Sequence, residues 1–102
     1  MSDVRFEPNG QGSYRVSGEL TFATVSDALE LSQPILHGST DLILDLSGVG
    51  SADSAGLALL IEWYRQASRA TKAIRFVGVP SQLRALAKIS DVDQLLSFPE
   101  HA

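Results

Sequence analysis

From residue 41 to residue 89 short apolar runs alternate with stretches of helical periodicity, and this alternation constrains the fold more than any other feature of the chain. Residues 41–47 form a nearly continuous apolar run, the pattern of a central strand covered on both faces. Residues 48–53 are small and read as a loop. Residues 54–70 carry helical spacing, and residues 73–79 read as another strand. Pro80 suits the first turn of a helix whose buried stripe is Leu83, Leu86, Ala87 and Ile89. Strands that alternate with helices pair in parallel through right-handed crossovers. The expectation is therefore an α/β sheet with helices packed on it.

The first forty residues add a hairpin and a helix. Residues 4–7 alternate weakly, residues 8–12 are dense in turn formers, and Tyr14, Val16 and Leu20 are apolar positions of a second strand over residues 13–20. Together they predict a β-hairpin with a five-residue loop. Gly18 marks a bulge or a close backbone approach. Val25, Ala28, Leu29, Ser32 and Leu36 recur at helical spacing, and Thr24 with Asp27 approximates a capping box. Pro34 predicts a kink or an end near Gln33. Residues 91–98 read as a short partial helix or extended tail. The order is β-β-α-β-α-β-α, and residues 1–102 read as one domain.

Composition excludes several functions. Eight Lys and Arg stand against twelve Asp and Glu, a net charge of −4 with no basic run, which argues against nucleic acid as a partner. Residues 1–51 carry two Arg and seven acids (net −5), and residues 52–102 six Lys or Arg and five acids (net +1). Cysteine is absent, so the chain has no disulfide, zinc-thiolate site or thiol nucleophile. The longest apolar stretch, Ala55 to Ile61, is far short of the ~20 residues a membrane span needs. No apolar segment follows the N-terminus, so neither a signal peptide nor direct membrane insertion is expected, and a cytoplasmic location is.

The chemistry concentrates where the central strand gives way to the long helix. A helix start offers free N–H groups and partial positive charge, which suit an anion. A nucleotide loop would need a Lys that is absent, or a third Gly where Asp53 stands. Ala52-Asp53-Ser54-Ala55-Gly56 is a loose variant of the hydrolase nucleophile elbow. Yet six residues separate Ser47 from Ser54, and the only histidines are His37 and His101. In the plainest reading Asp53 or Ser54 caps the helix.

Along that helix Leu57, Leu60, Ile61 and Tyr64 share the core stripe, whereas Leu59 and Trp63 lie off it, with Ala55 and Gln66 on their flank. This second strip either packs under a neighbouring helix or the terminal tail, or docks a partner beside Ser54. Trp among apolar and Arg neighbours has the composition of an interface hot spot. Small Ala55 and Gly56 would let a partner approach closely.

Asp53-Ser54-Ala55-Gly56-Leu57, behind a strand ending Asp45-Leu46-Ser47, resembles the signature of the STAS family, shared by anti-sigma-factor antagonists and sulfate transporters. Gly18-Glu19-Leu20 is similar to the family's early Gly-Glu-Leu, although Thr21 stands where the family often has Asp. The resemblance spans roughly residues 4–96. It implies a mixed sheet of about four strands, no catalysis and no cofactor or metal. It also implies that the Ser54 hydroxyl meets a partner protein and, in anti-sigma antagonists, accepts a phosphoryl group. Residues 56–67, Gly78-Val79, Gln82-Leu83 and Leu86-Ala87-Lys88 are most similar to the small STAS subunits of Mla phospholipid-transport systems. That implies an accessory subunit bound to an ABC-transporter ATPase subunit and, through it, to the inner-membrane permease, in the maintenance of outer-membrane lipid asymmetry. Asp53, Ser54, Ala55, Gly56, Leu59 and Trp63 are the expected partner-binding residues. The alternative is an anti-sigma-factor antagonist in a partner-switching pathway, regulated by phosphorylation of Ser54.

Overall fold

The computed structural model describes residues 3–38 and 40–96, so the expectations for Phe98 and His101 lie outside the described residues. Strands β1 (Arg5–Pro8) and β2 (Ser13–Leu20) lead to helix α1 (Val25–Leu36), then β3 (Leu42–Ala52) and α2 (Ser54–Arg69). Strand β4 (Ile74–Val77) and helices α3 (Ser81–Ile89) and α4 (Asp93–Leu96) complete the order. The sheet runs β1-β2-β3-β4. β1 and β2 pair antiparallel, and the other two pairs are parallel. This is the element order that the residue pattern predicts and the mixed four-stranded sheet with packed helices that the family resemblance implies.

Each crossover, β2-α1-β3 and β3-α2-β4, moves one strand further along the sheet in the same direction. Right-handed crossovers of that kind place their helices on one face, and α2 contacts both α1 and α3. β3 is consequently covered on one face, not on both as expected. Leu42, Leu44 and Leu46 are buried, whereas Ile43 and Asp45 are half-buried and Ser47 is exposed.

Residues 48–52 are a second correction, because they continue β3 instead of forming a loop. Their small side chains carry no strand pattern, but they pair with Ser17, Gly18, Glu19 and Leu20 across two register shifts. Gly18 sits at one of these shifts with φ 99°, and a Cβ there would press on the backbone of Asp3. The bulge and the close approach are thus both present.

Local details also differ from expectation. The hairpin loop is the four residues 9–12, because Pro8 belongs to β1 and β2 begins at Ser13. α1 runs past Pro34 to Leu36, and Lys72 reaches across to the C-terminal carbonyl of Leu36. Thr24 does not cap α1 with its side chain. Its hydroxyl donates to Glu19 O (2.7 Å) and accepts from Thr21 N (3.0 Å), which locks the β2–α1 turn.

Candidate functional site

The strand-to-helix junction is tight. Only Asp53 lies between the end of β3 and the start of α2. It is extended (φ −129°, ψ −167°), and its Oδ1 accepts from Ala55 N at 2.9 Å and from Gly56 N at 3.3 Å. Asp53 is therefore the cap, and Ser54 is the first helical residue. The second carboxylate oxygen reaches outside the helix and accepts the backbone N–H of Phe22 at 3.1 Å. The Phe22 N–H is the main cause holding the Asp53 carboxyl below its usual range; partial desolvation opposes it, and the Gly56 and Ala55 N–H groups add to it.

That arrangement disposes of two readings of the loop. The N–H groups that would cradle a phosphate already serve the chain's own carboxylate, so the helix start is not an open anion site. A sharp strand–helix turn does exist, unlike the loop expected, but His37 caps the far end of α1, beside Gln66 and Arg69 of α2. At 1.5 Å of rise per residue, Ser54 lies about 20 Å from that end of α2. Among the described residues no imidazole stands near the hydroxyl, and no group of three His, Asp or Glu could hold a metal ion.

Ser54 itself is exposed, and among the described residues its hydroxyl makes no hydrogen bond. Ala55 is half-buried at the same tip, and Asp53 is half-buried behind it. Three of the six expected partner-binding residues therefore reach the surface together.

The other three do not. Gly56 is buried, and a Cβ there would overlap the carbonyl oxygen of Leu20. Its missing side chain lets α2 lie against the end of β2, which is a different reason from leaving room for a partner. Trp63 is 0% exposed and Leu59 5% exposed. The expected apolar strip on α2 packs under the neighbouring helix α1, which leaves only the edge of Leu59 on its surface. The indole Nε1 donates to Ser32 Oγ at 2.8 Å, Ser32 donates on to Leu29 O at 2.7 Å, and Phe6 meets the indole edge-on at 5.8 Å. The buried stripe of α2 is Gly56, Leu60, Trp63 and Ala67, flanked by Leu57 and Leu59, whereas Ile61 and Tyr64 are half-buried at its margin.

The exposed aromatic beside Ser54 is Phe22, 85% exposed in the β2–α1 turn. Sequence reasoning missed it, since it belongs to no periodic stripe. The available signal was that very isolation: a large apolar side chain in a turn, outside both flanking patterns.

The family model described as "Mlab, STAS domain" matches residues 7–97. The chain belongs to the STAS domain family. Members of this family are non-catalytic regulatory or interaction domains. An anti-sigma-B factor antagonist of Staphylococcus aureus is 28% identical over 87 residues, 84% of this chain and 81% of that protein. An anti-sigma factor antagonist from Mycobacterium paratuberculosis has the same STAS fold, with a TM-score of 0.77 and 20% identity over 98% of this chain and 86% of that one. The Bacillus cell fate determinant SpoIIAA in its phosphorylated form superposes with a TM-score of 0.69 and 14% identity, covering 96% of this chain and 92% of that one. No helix among the described residues is long and apolar enough to cross a membrane.

Proposed function

We propose that this STAS domain is a docking subunit that offers the tip of α2, with Ser54 at its apex, to the ATPase subunit of a phospholipid-transporting ABC complex. The observation that carries the reading is the free, exposed Ser54 hydroxyl on a helix start made rigid by Asp53. A hydroxyl unused inside the molecule is available to another chain, and the fixed backbone keeps the ordering cost of docking low. The matching family model is described as Mlab, in keeping with the resemblance to Mla STAS subunits, and it is that resemblance which makes an ATPase the proposed partner. The subunit would then sit on the cytoplasmic side of the inner membrane through its partner. Co-expression with the ABC ATPase subunit of the same organism tests this. The complex should purify with the wild-type chain and be lost with Ser54→Arg at an unchanged melting temperature. A complex that survives Ser54→Arg overturns the reading.

The relatives named anti-sigma-B factor antagonists favour a second reading, a partner-switching regulator phosphorylated on Ser54. A phosphoryl group there would add about −1.5 to −2 charge next to the Asp53 carboxylate, and its like-charge repulsion and desolvation cost would disrupt docking at that face. Incubation with ATP and the organism's lysate, followed by intact-mass measurement, separates the two. A gain of one phosphoryl group lost in Ser54→Ala supports the regulator, and no gain supports the transporter subunit.

A further inference from the structure

Beside Ser54 the N-terminal halves of α1 and α2 leave an apolar groove of about 250 Å³. Val25 and Leu29 form one wall, Ala55, Ala58 and Leu59 the other, and Glu62 closes the far end. Phe22 stands fully out in solvent in the turn that precedes Val25, and that turn is fixed by Asp53 on one side and the Thr21–Thr24 bonds on the other. From Ala55 to Glu62 the groove runs two helical turns, about 10 Å. That length suits the two or three apolar anchors that one face of a helix presents.

Charge says what kind of helix. Glu62 lines the groove and is half-buried at its far end, Asp53 is half-buried beside Ala55 at its near end, and Glu30 is exposed on α1 next to Leu29. Among the described residues Arg65 is the cation paired with a groove-lining acid, bound to Glu62 at 3.0 Å. A second copy of this chain would therefore bring acid against acid, and an anionic lipid surface would be repelled. We propose that the strip from Phe22 along the α1/α2 groove seats an amphipathic helical segment of the partner protein that carries Lys or Arg beside its apolar anchors. This deepens the docking reading above and rests on its partner, not on its Ser54 contact.

The probe is a short amphipathic helical peptide of leucine and lysine, compared with its leucine–glutamate counterpart by nitrogen–proton correlation spectra of the intact chain. The basic peptide should shift the amides of Phe22, Val25, Leu29 and Ala58, and should bind about tenfold or more tighter than the acidic one. Ala58→Arg, at an exposed helical position that folding tolerates, should abolish those shifts. Equal binding of both peptides, shifts confined to the exposed Ile89 and Leu95, concentration-dependent dimerisation through Phe22, or binding to anionic vesicles through the same amides would each overturn the inference. The ATPase subunit distinguishes this inference from the Ser54 reading. Capture lost with Ser54→Arg but kept with Ala58→Arg overturns the groove and leaves the Ser54 reading standing. The reverse pattern overturns the Ser54 reading and supports the groove.

Discussion

The carboxylate of Asp53 accepts the backbone N–H of Phe22 at 3.1 Å, across 31 residues of sequence. The same side chain caps α2 through its other oxygen. One residue thus fixes the start of the helix that bears Ser54 and the turn that presents Phe22.

Acid should loosen that junction. The folded carboxyl titrates below its ordinary value of 3.8 because backbone N–H groups favour the charged form. A depressed folded value means the stabilisation is complete above the ordinary value and is lost as pH falls from there through the folded one. Melting temperatures of the wild type and Asp53→Ala, measured from neutral pH down to about pH 3, should converge as pH falls. A constant gap across that range would show that the charge of Asp53 contributes nothing.

Gly56 is required by packing. Gly56→Ala should lower the free energy of unfolding by about 1–3 kcal/mol, because the new Cβ must push α2 away from Leu20. Urea denaturation measures this. A stabilised variant, as helix propensity alone would give, contradicts the close approach.

The Trp63–Ser32 bond should be worth more to break than to delete. Ser32→Ala strands a buried indole N–H and should cost about 1–3 kcal/mol. In Trp63→Phe the same serine change should cost less, and a double-mutant cycle reads the difference. Trp63 is the only tryptophan, so its emission reports the transition and should shift to the red on unfolding.

Ser54 and Ala58 are surface positions, so Ser54→Arg and Ala58→Arg should each leave the unfolding free energy within about 0.5 kcal/mol of wild type. The same denaturation experiment checks this. A larger loss in either would mean that the tip of α2 serves folding and not docking.

Much of this was legible from local pattern. The apolar spacings of β2, α1, α2 and α3 depend on near neighbours in sequence, and those elements lie where the spacing puts them, although Ile89, expected in the buried stripe of α3, is 83% exposed. The Asp53-Ser54 start of α2 was legible for the same reason, since caps are local. What escaped was tertiary. Residues 48–52 become strand only because β2 lies beside them with its bulges. Trp63 and Leu59 fall off the stripe that spacing alone assigns to α2, and only the placement of α1 shows that they are interior. Phe22 gained its meaning from Asp53, a contact no periodicity encodes.

The most direct test of the docking account is site-specific photo-crosslinking. A benzophenone amino acid replaces Phe22, the exposed aromatic beside Ser54, in one chain and Arg75, exposed on β4, in another, each co-expressed with the ABC ATPase subunit. The account expects a crosslinked product from position 22 and none from position 75. Crosslinking from position 75 with none from position 22 would contradict it.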